Sequence, residues 1–348
     1  MSTKVRVGGE RVRAFLLNAI SRGLPDVVAK TSEKFEISRQ AVHAHIKRLE
    51  EAEAINVRRN GRRLSYSLRS EQAFASTYDL SMNLDEGDVW ERDIRPLLEN
   101  LPGNVLNIWH HGFTEMFNNA MDHSQGTIIT VRVQKSAAKT QIVIEDDGVG
   151  IFHKIQQELK LVDPRLAIFE LSKGKLTTDP SRHSGEGIFF TSRMMEHFSI
   201  RSKQLEFEHD HTEPLDILND HVGQKIKGTQ VVMELRNHTS RTTKKVFDKF
   251  TTDKEEYAFD KTIVPMRLAV LGTDQLVSRS QAKRTLARVE KFKFVVLDFK
   301  GVNEIGQAFA DEIFRVYEKS HPDIIIAPMN ESKAVAAMIK RARNSDSV

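Results

Sequence analysis

The chain has 348 residues and no cysteine, enough for two or three domains, and it excludes disulfides, thiolate nucleophiles and cysteine-ligated zinc. Apolar residues make up 39% and charged residues 29%, ordinary for a soluble globular protein. No apolar run reaches the roughly 18 residues of a membrane span; with no signal-peptide core at the start, a cytoplasmic protein without membrane contact is expected.

The net charge of +4 is unevenly spread. Residues 1–70 carry fifteen Lys/Arg against seven Asp/Glu, so the remaining 278 residues are net −4. A basic N-terminal unit on a mildly acidic remainder suggests a polyanion at that end. Val12, Phe15, Leu16 and Ile20 form a helical stripe, and a second short helix is expected around Asp26 to Lys34. A third runs from Ile37 to Glu51 with Ser38 as N-cap, burying Ala41, Val42, Ile46 and Leu49. Arg39, Gln40, His43, His45 and Lys47 then point elsewhere. From Ile55 to Leu68 the residues alternate around Asn60-Gly61, a hairpin signal.

Three helices and a basic hairpin resemble the winged helix-turn-helix of bacterial transcription regulators. The resemblance implies double-stranded DNA as partner, with the third helix in the major groove and the hairpin on the backbone. Arg39, Gln40 and His43 are then the candidates for base edges, with Lys47 beside them. Arg58, Arg59, Arg62 and Arg63 suit phosphates. A basic face used only for protein contacts is the competing reading. Such regulators usually read paired half-sites, so a homodimer is expected.

Residues 71–103 read as an acidic connector with a helix near Trp90 to Glu99. The helix over Phe113–Ser124 places Glu115, Asn119 and His123 at i, i+4 and i+8 on one face. Strand-like runs Thr127–Val133 and Gln141–Glu145 lead to Asp146-Asp-Gly-Val-Gly150. Ser184-Gly-Glu-Gly-Ile188 then opens another helix, and Gly228-Thr229 enters the strand Gln230–Leu235. These four parts, in this order, resemble the ATP-binding domain shared by gyrase, heat-shock chaperones, histidine kinases and mismatch-repair ATPases.

That resemblance implies ATP and Mg²⁺ as cofactors and assigns roles. Asn119 would offer its amide oxygen to Mg²⁺, a hard cation that bridges phosphates. Glu115 would orient and deprotonate an attacking water or hydroxyl. Asp146 would accept from the adenine amino group and face an acceptor if guanine were bound. Gly148 and Gly150 would let the backbone pass close to the base. Gly185 and Gly187 would present N–H groups to phosphates at a helix start, and Thr229 would close the adenine pocket. Residues 151–184 would form a lid from which Lys173, Lys175, Arg182 and His183 reach the phosphates. His123 either braces the phosphate end or only finishes its helix. Lys203 to Lys227 interrupts what would be adjacent strands, and His209-x-His211 within it lacks the further spacing of a zinc site.

After a connector at 241–261, strand-like and helical runs alternate: Thr262–Leu268, Ser280–Phe292, Phe294–Phe299, Gly306–Lys319, Asp323–Met329 and Glu331–Arg343. Asp298 to Gly306 opening a helix resembles the STAS fold of anti-sigma-factor antagonists, and more closely the STAS-like module behind ATPase domains of this type. No hydroxyl stands at Gly306, Gln307 or Ala308, where the antagonists carry a phosphorylated serine, so docking to the ATPase domain or a partner protein is expected instead.

The expected architecture is therefore multidomain α+β: a winged helix (1–70), a two-layer α/β sandwich of the histidine-kinase-like ATPase type (104–240) and a small α/β STAS-like domain (262–348). The expected function is an ATP-dependent DNA-binding regulator, with slow hydrolysis compatible. A serine/threonine kinase of the anti-sigma-factor type, acting on a separate protein, is the alternative.

Overall fold

A computed structural model describes residues 3–61, 63–177, 184–211, 215–220, 226–252, 258–270 and 275–344. Helices α1 (Thr3–Ser21), α2 (Val27–Phe35) and α3 (Arg39–Glu51) pack Leu16, Val42 and Ile46 into one small core. The start of α3 follows from its cap: Ser38 Oγ accepts from Ala41 N at 3.2 Å. Strands β1 (Ile55–Asn60) and β2 (Arg63–Leu68) pair antiparallel with Asn60 opposite Arg63. The chain reverses after Asn60, and Gly61 takes the positive φ of +59°.

The stretch 71–103 is not a connector. Strand β3 (Ser70–Asp79) forms the edge of the central sheet, paired with β4 (Ile128–Ser136). Helix α4 (Glu86–Val89), a wider π-helical turn at Trp90–Ile94 and α5 (Arg95–Leu98) follow, burying Trp90, Ile94 and Leu98. The period-2 pattern of β3 is weak, so its place in the sheet depends on the partner strand rather than on its own residues.

Helix α6 (Gly103–His123) buries Val105, Ile108, Trp109, Phe113, Met116, Phe117 and Ala120, the spacing of one apolar face. Each fully buried aromatic there contributes about 1.5–3 kcal/mol. Strand β5 (Lys139–Asp146) alternates buried and half-buried residues. After it come α7 (Ile151–Glu158), α8 (Arg165–Lys173), α9 (Gly187–Met194), β6 (His197–Lys203), β7 (Leu205–Asp210), β8 (Leu215–Asp220) and β9 (Ile226–Arg236). The seven-stranded antiparallel sheet has the order β3-β4-β5-β9-β6-β7-β8. Within 203–227, β7 and β8 extend the sheet beyond β6, and His209 is buried with Nδ1 2.6 Å from Asp216 Oδ1.

Helix α10 (Thr243–Phe247) leads to a parallel sheet of β10 (Lys261–Pro265), β11 (Phe294–Asp298) and β12 (Ile325–Met329). Around it lie α11 (Arg279–Leu286), α12 (Gln307–Asp311), a π-helical turn at Glu312–Tyr317, α13 (Glu318–Ser320) and α14 (Lys333–Asn344). Ser278 and Gln281 cap α11 reciprocally. Phe189, Phe190, Phe247, Phe250, Phe259 and Phe292 form one aromatic chain from the central domain to the C-terminal one, with neighbouring ring centroids as close as 4.1 Å. Phe247, Phe250 and Phe259 of the expected connector therefore pack between the two domains. Among the described residues no helix is long and apolar enough to cross a membrane.

Candidate nucleotide site

A cavity of about 270 Å³ lies between α6 and the sheet, closed on its far side by α7 and the start of α9. The fold brings Glu115, Asn119, His123, Asp146, Gly185, Gly187 and Thr229 to its wall from separate elements. Glu115, Asn119 and His123 project from the polar face of α6 because the opposite face is committed to the core. Ile144, Ile151, Ile200 and Val231 supply an apolar wall, suited to a flat base.

The two adjacent aspartates do different work. Asp147 accepts from Thr127 N at 2.6 Å, Ile128 N at 3.1 Å and Thr127 Oγ1 at 2.9 Å, with Lys227 Nζ 3.3 Å away. These bonds, that from Thr127 N foremost, hold its carboxyl well below the usual range. It ties β4 to the loop and is structural. Asp146 is buried at the cavity wall, and burial pushes its pKa up against the pull of two backbone donors. Its Oδ1 accepts from Gly148 N at 2.9 Å and Thr229 N at 3.2 Å. With that oxygen held by the main chain, the carboxylate has a set orientation.

Gly148 sits where a Cβ would lie 2.0 Å from Ser124 O, and Ser124 O also accepts from Val149 N at 2.9 Å; the loop passes this closely to the end of α6 only without a side chain. Gly148 and Gly150 thus shape the loop under the cavity without lining it. Thr229 Oγ1 accepts from Ile151 N at 3.0 Å, joining β9 to the first turn of α7. At Gly187 a Cβ would lie 2.0 Å from Glu115 Oε2, so the carboxylate stands against the opening turn of α9. Gly187→Ala is expected to push Glu115 aside and weaken Mg-nucleotide binding by about tenfold or more, the worth of one charge-assisted hydrogen bond. The fold should survive, because the clashing atom ends a flexible side chain. Calorimetric titration beside a thermal melt checks both halves; unchanged affinity would contradict it.

Residues 97–206 match the family described as histidine kinase-like ATPase domain. The chain carries that domain. A second match, over residues 281–336, is to the STAS-like domain of unknown function (DUF4325), and no curated protein matches the chain. The first match ends before β9, which carries Thr229 to the cavity. The donor set fits Mg-ATP: amide and carboxylate oxygens at one end, a helix opening beside them, and a fixed carboxylate among apolar walls at the other.

Lys175 does not reach the cavity. Its Nζ bonds Lys291 O at 3.0 Å and lies over the rings of Phe292 and Phe259. Lys173 is turned away too, fully buried against the C-terminal domain. The span 151–184 is thus no free flap over its described part: α8 is a buried helix packed between domains. Arg182 and His183 lie outside the described residues. Lys154, overlooked in the sequence, lines the cavity from α7, with Nζ 3.0 Å from His123 O. The signal was present: Ile151, Lys154 and Ile155 stand at i, i+3 and i+4, so a helix starting after Gly150 puts the lysine on the same side as the apolar wall. Elsewhere, His197, Glu208 and Asp210 on β6 and β7 bring possible metal-ligand atoms within 4.8 Å of one another, partly exposed and not at this cavity.

Proposed function

We propose that the chain is a DNA-binding regulator whose DNA affinity or assembly is set by Mg-ATP in the central cavity. The carrying observation is the convergence of Glu115, Asn119, Asp146, Gly187 and Thr229 on one cavity in a chain whose N-terminal unit exposes a basic face. In this reading Asp146 accepts from the adenine amino group, Asn119 places Mg²⁺ on the phosphates, and Glu115 orients a water for slow turnover. Lys154 adds a cation at the phosphate end.

For DNA, Arg39, Gln40, His43 and Lys47 are all exposed on α3, three of them one turn apart. Arg58 and Arg59 are exposed on β1; the side chains of Arg62 and Arg63 lie outside the described residues. The N-terminal core packs on the β4–β5 turn through Ala137 and Ala138, so the two units share a contact through which nucleotide state is communicated. A ligand shifts such an equilibrium only by its differential affinity for the two states.

The test is fluorescence anisotropy with a duplex at fixed salt, with and without Mg-ATP. The expected result is a change in DNA affinity on the order of tenfold, abolished by Asn119→Ala. DNA binding indifferent to nucleotide refutes the coupling, and no salt-dependent DNA binding at all refutes the partner.

A further inference from the structure

A second cavity, of about 450 Å³, lies where β7, β8 and the segment around α10 meet the C-terminal domain. This volume falls within the range of small-molecule pockets. Among the described residues its wall carries Arg193, Arg241, Lys249, Arg267 and Lys300 against the carboxylates of Asp216 and Asp298. Asp216 is already spent, taking Arg193 Nη2 at 2.8 Å and His209 Nδ1 at 2.6 Å. Asp298 Oδ1 accepts from Lys300 N at 3.0 Å and Asn330 Nδ2 at 2.8 Å. Arg241, Lys249, Arg267 and Lys300 are left without an ion-pair partner among the described residues.

Arg241 is the decisive group. Its Nη2 bonds Arg193 O, but Nε and Nη1 are buried and have no hydrogen-bond partner among the described residues. Buried, unmet donors cost about 1–3 kcal/mol each, more when charged, and such a group calls for an acceptor. Desolvation foremost, then the charges of Arg241 and Lys249, push His211 at the same cavity down to about 4.

We propose that this cavity binds a small phosphorylated anion with at least two negative charges, gripped between the ATPase domain and the STAS-like domain. Nε and Nη1 of Arg241 lie on different edges of its planar guanidinium, and each can donate to a separate anionic oxygen. Lys249 and Arg267 approach from the connector and the C-terminal domain, and Lys300 from the loop after β11. A ligand held this way bridges the two domains. The assignment stands apart from DNA binding and from the central cavity, which shares no lining residue with it.

The probe is inorganic pyrophosphate, titrated calorimetrically into the full chain. Wild type should bind it, more weakly as salt rises. Lys249→Ala/Lys300→Ala, changing two exposed residues, should bind about tenfold or more weaker with an unchanged melt. Arg241→Gln should lose binding as well. Gly187→Ala, which alters the phosphate end of the central cavity, should retain it. Absence of binding by wild type, or equal binding by the lysine double variant, overturns the proposal. Loss in Gly187→Ala with retention in the lysine variant also overturns it, by moving the anion to the nucleotide cavity.

Discussion

Glu170→Ala is expected to destabilise the protein by about 3–5 kcal/mol, because it strands two cations in the junction between domains. Glu170 is buried; its Oε1 accepts from Lys173 Nζ at 2.8 Å and its Oε2 from Arg288 Nε at 3.0 Å. Lys173 also donates to Arg284 O and Ala287 O, each at 3.1 Å, and Arg288 Nη2 donates to Glu170 O at 2.9 Å. Without the carboxylate, two carbonyl oxygens and the face of the Phe169 ring are left around a buried ammonium. Burial already pushes Lys173 down to about 8, with Glu170 opposing that shift. In the variant its pKa falls further, and the sign of the pH dependence follows. The unfolded chain keeps the lysine protonated up to its ordinary value of 10.5. As pH rises, the folded variant sheds its proton before the folded wild type does, so the cost of the buried charge is relieved only on going to higher pH and is largest in acid. The deficit should therefore be larger at pH 6 than at pH 9. Urea unfolding at both values checks this, and a deficit independent of pH would refute the account. The same change should loosen α8, read as faster proteolysis between α8 and α11.

Asp146→Asn is expected to weaken adenine-nucleotide binding by about 3 kcal/mol, more than a hundredfold, with little change in fold. The asparagine can keep its oxygen where Gly148 N and Thr229 N already donate. Its amide NH₂ must then face the cavity, where the adenine amino group is also a donor. Two donors opposed in a buried site leave both unsatisfied. Because burial raises the pKa of Asp146, wild-type affinity should fall on acidification at a higher pH than an ordinary carboxylate would give, since the accepting form is lost as pH drops through that raised value. Calorimetry with ATP from pH 8 downward measures both. Equal affinity in the variant would remove Asp146 from base recognition.

The polar face of α6 was legible because helix geometry alone aligns Glu115, Asn119 and His123. Choosing Asp146 over Asp147 rested on resemblance; the physical reason appears in three dimensions, where Thr127 and Ile128 N–H groups consume Asp147. The lysines were misread for a matching reason. Lys173 and Lys175 follow a glycine-rich nucleotide motif in a segment of lid-like length, yet the carbonyl oxygens that turn them toward the C-terminal domain lie 111 to 116 residues away in the chain. No local pattern reports such a contact.

Period and punctuation in the chain were sufficient for the three-helix unit with its hairpin, for the strands alternating beside α6, and for the strand-helix alternation of the last ninety residues. Those features arise from interactions within a few residues of each other, which a linear string records. Only tertiary structure decided that β3, β7 and β8 complete the central sheet, that α8 is buried under the STAS-like domain, and that five cations meet at one interdomain cavity. Each depends on which surface lies opposite, and burial and electric field are properties of that juxtaposition rather than of any single segment.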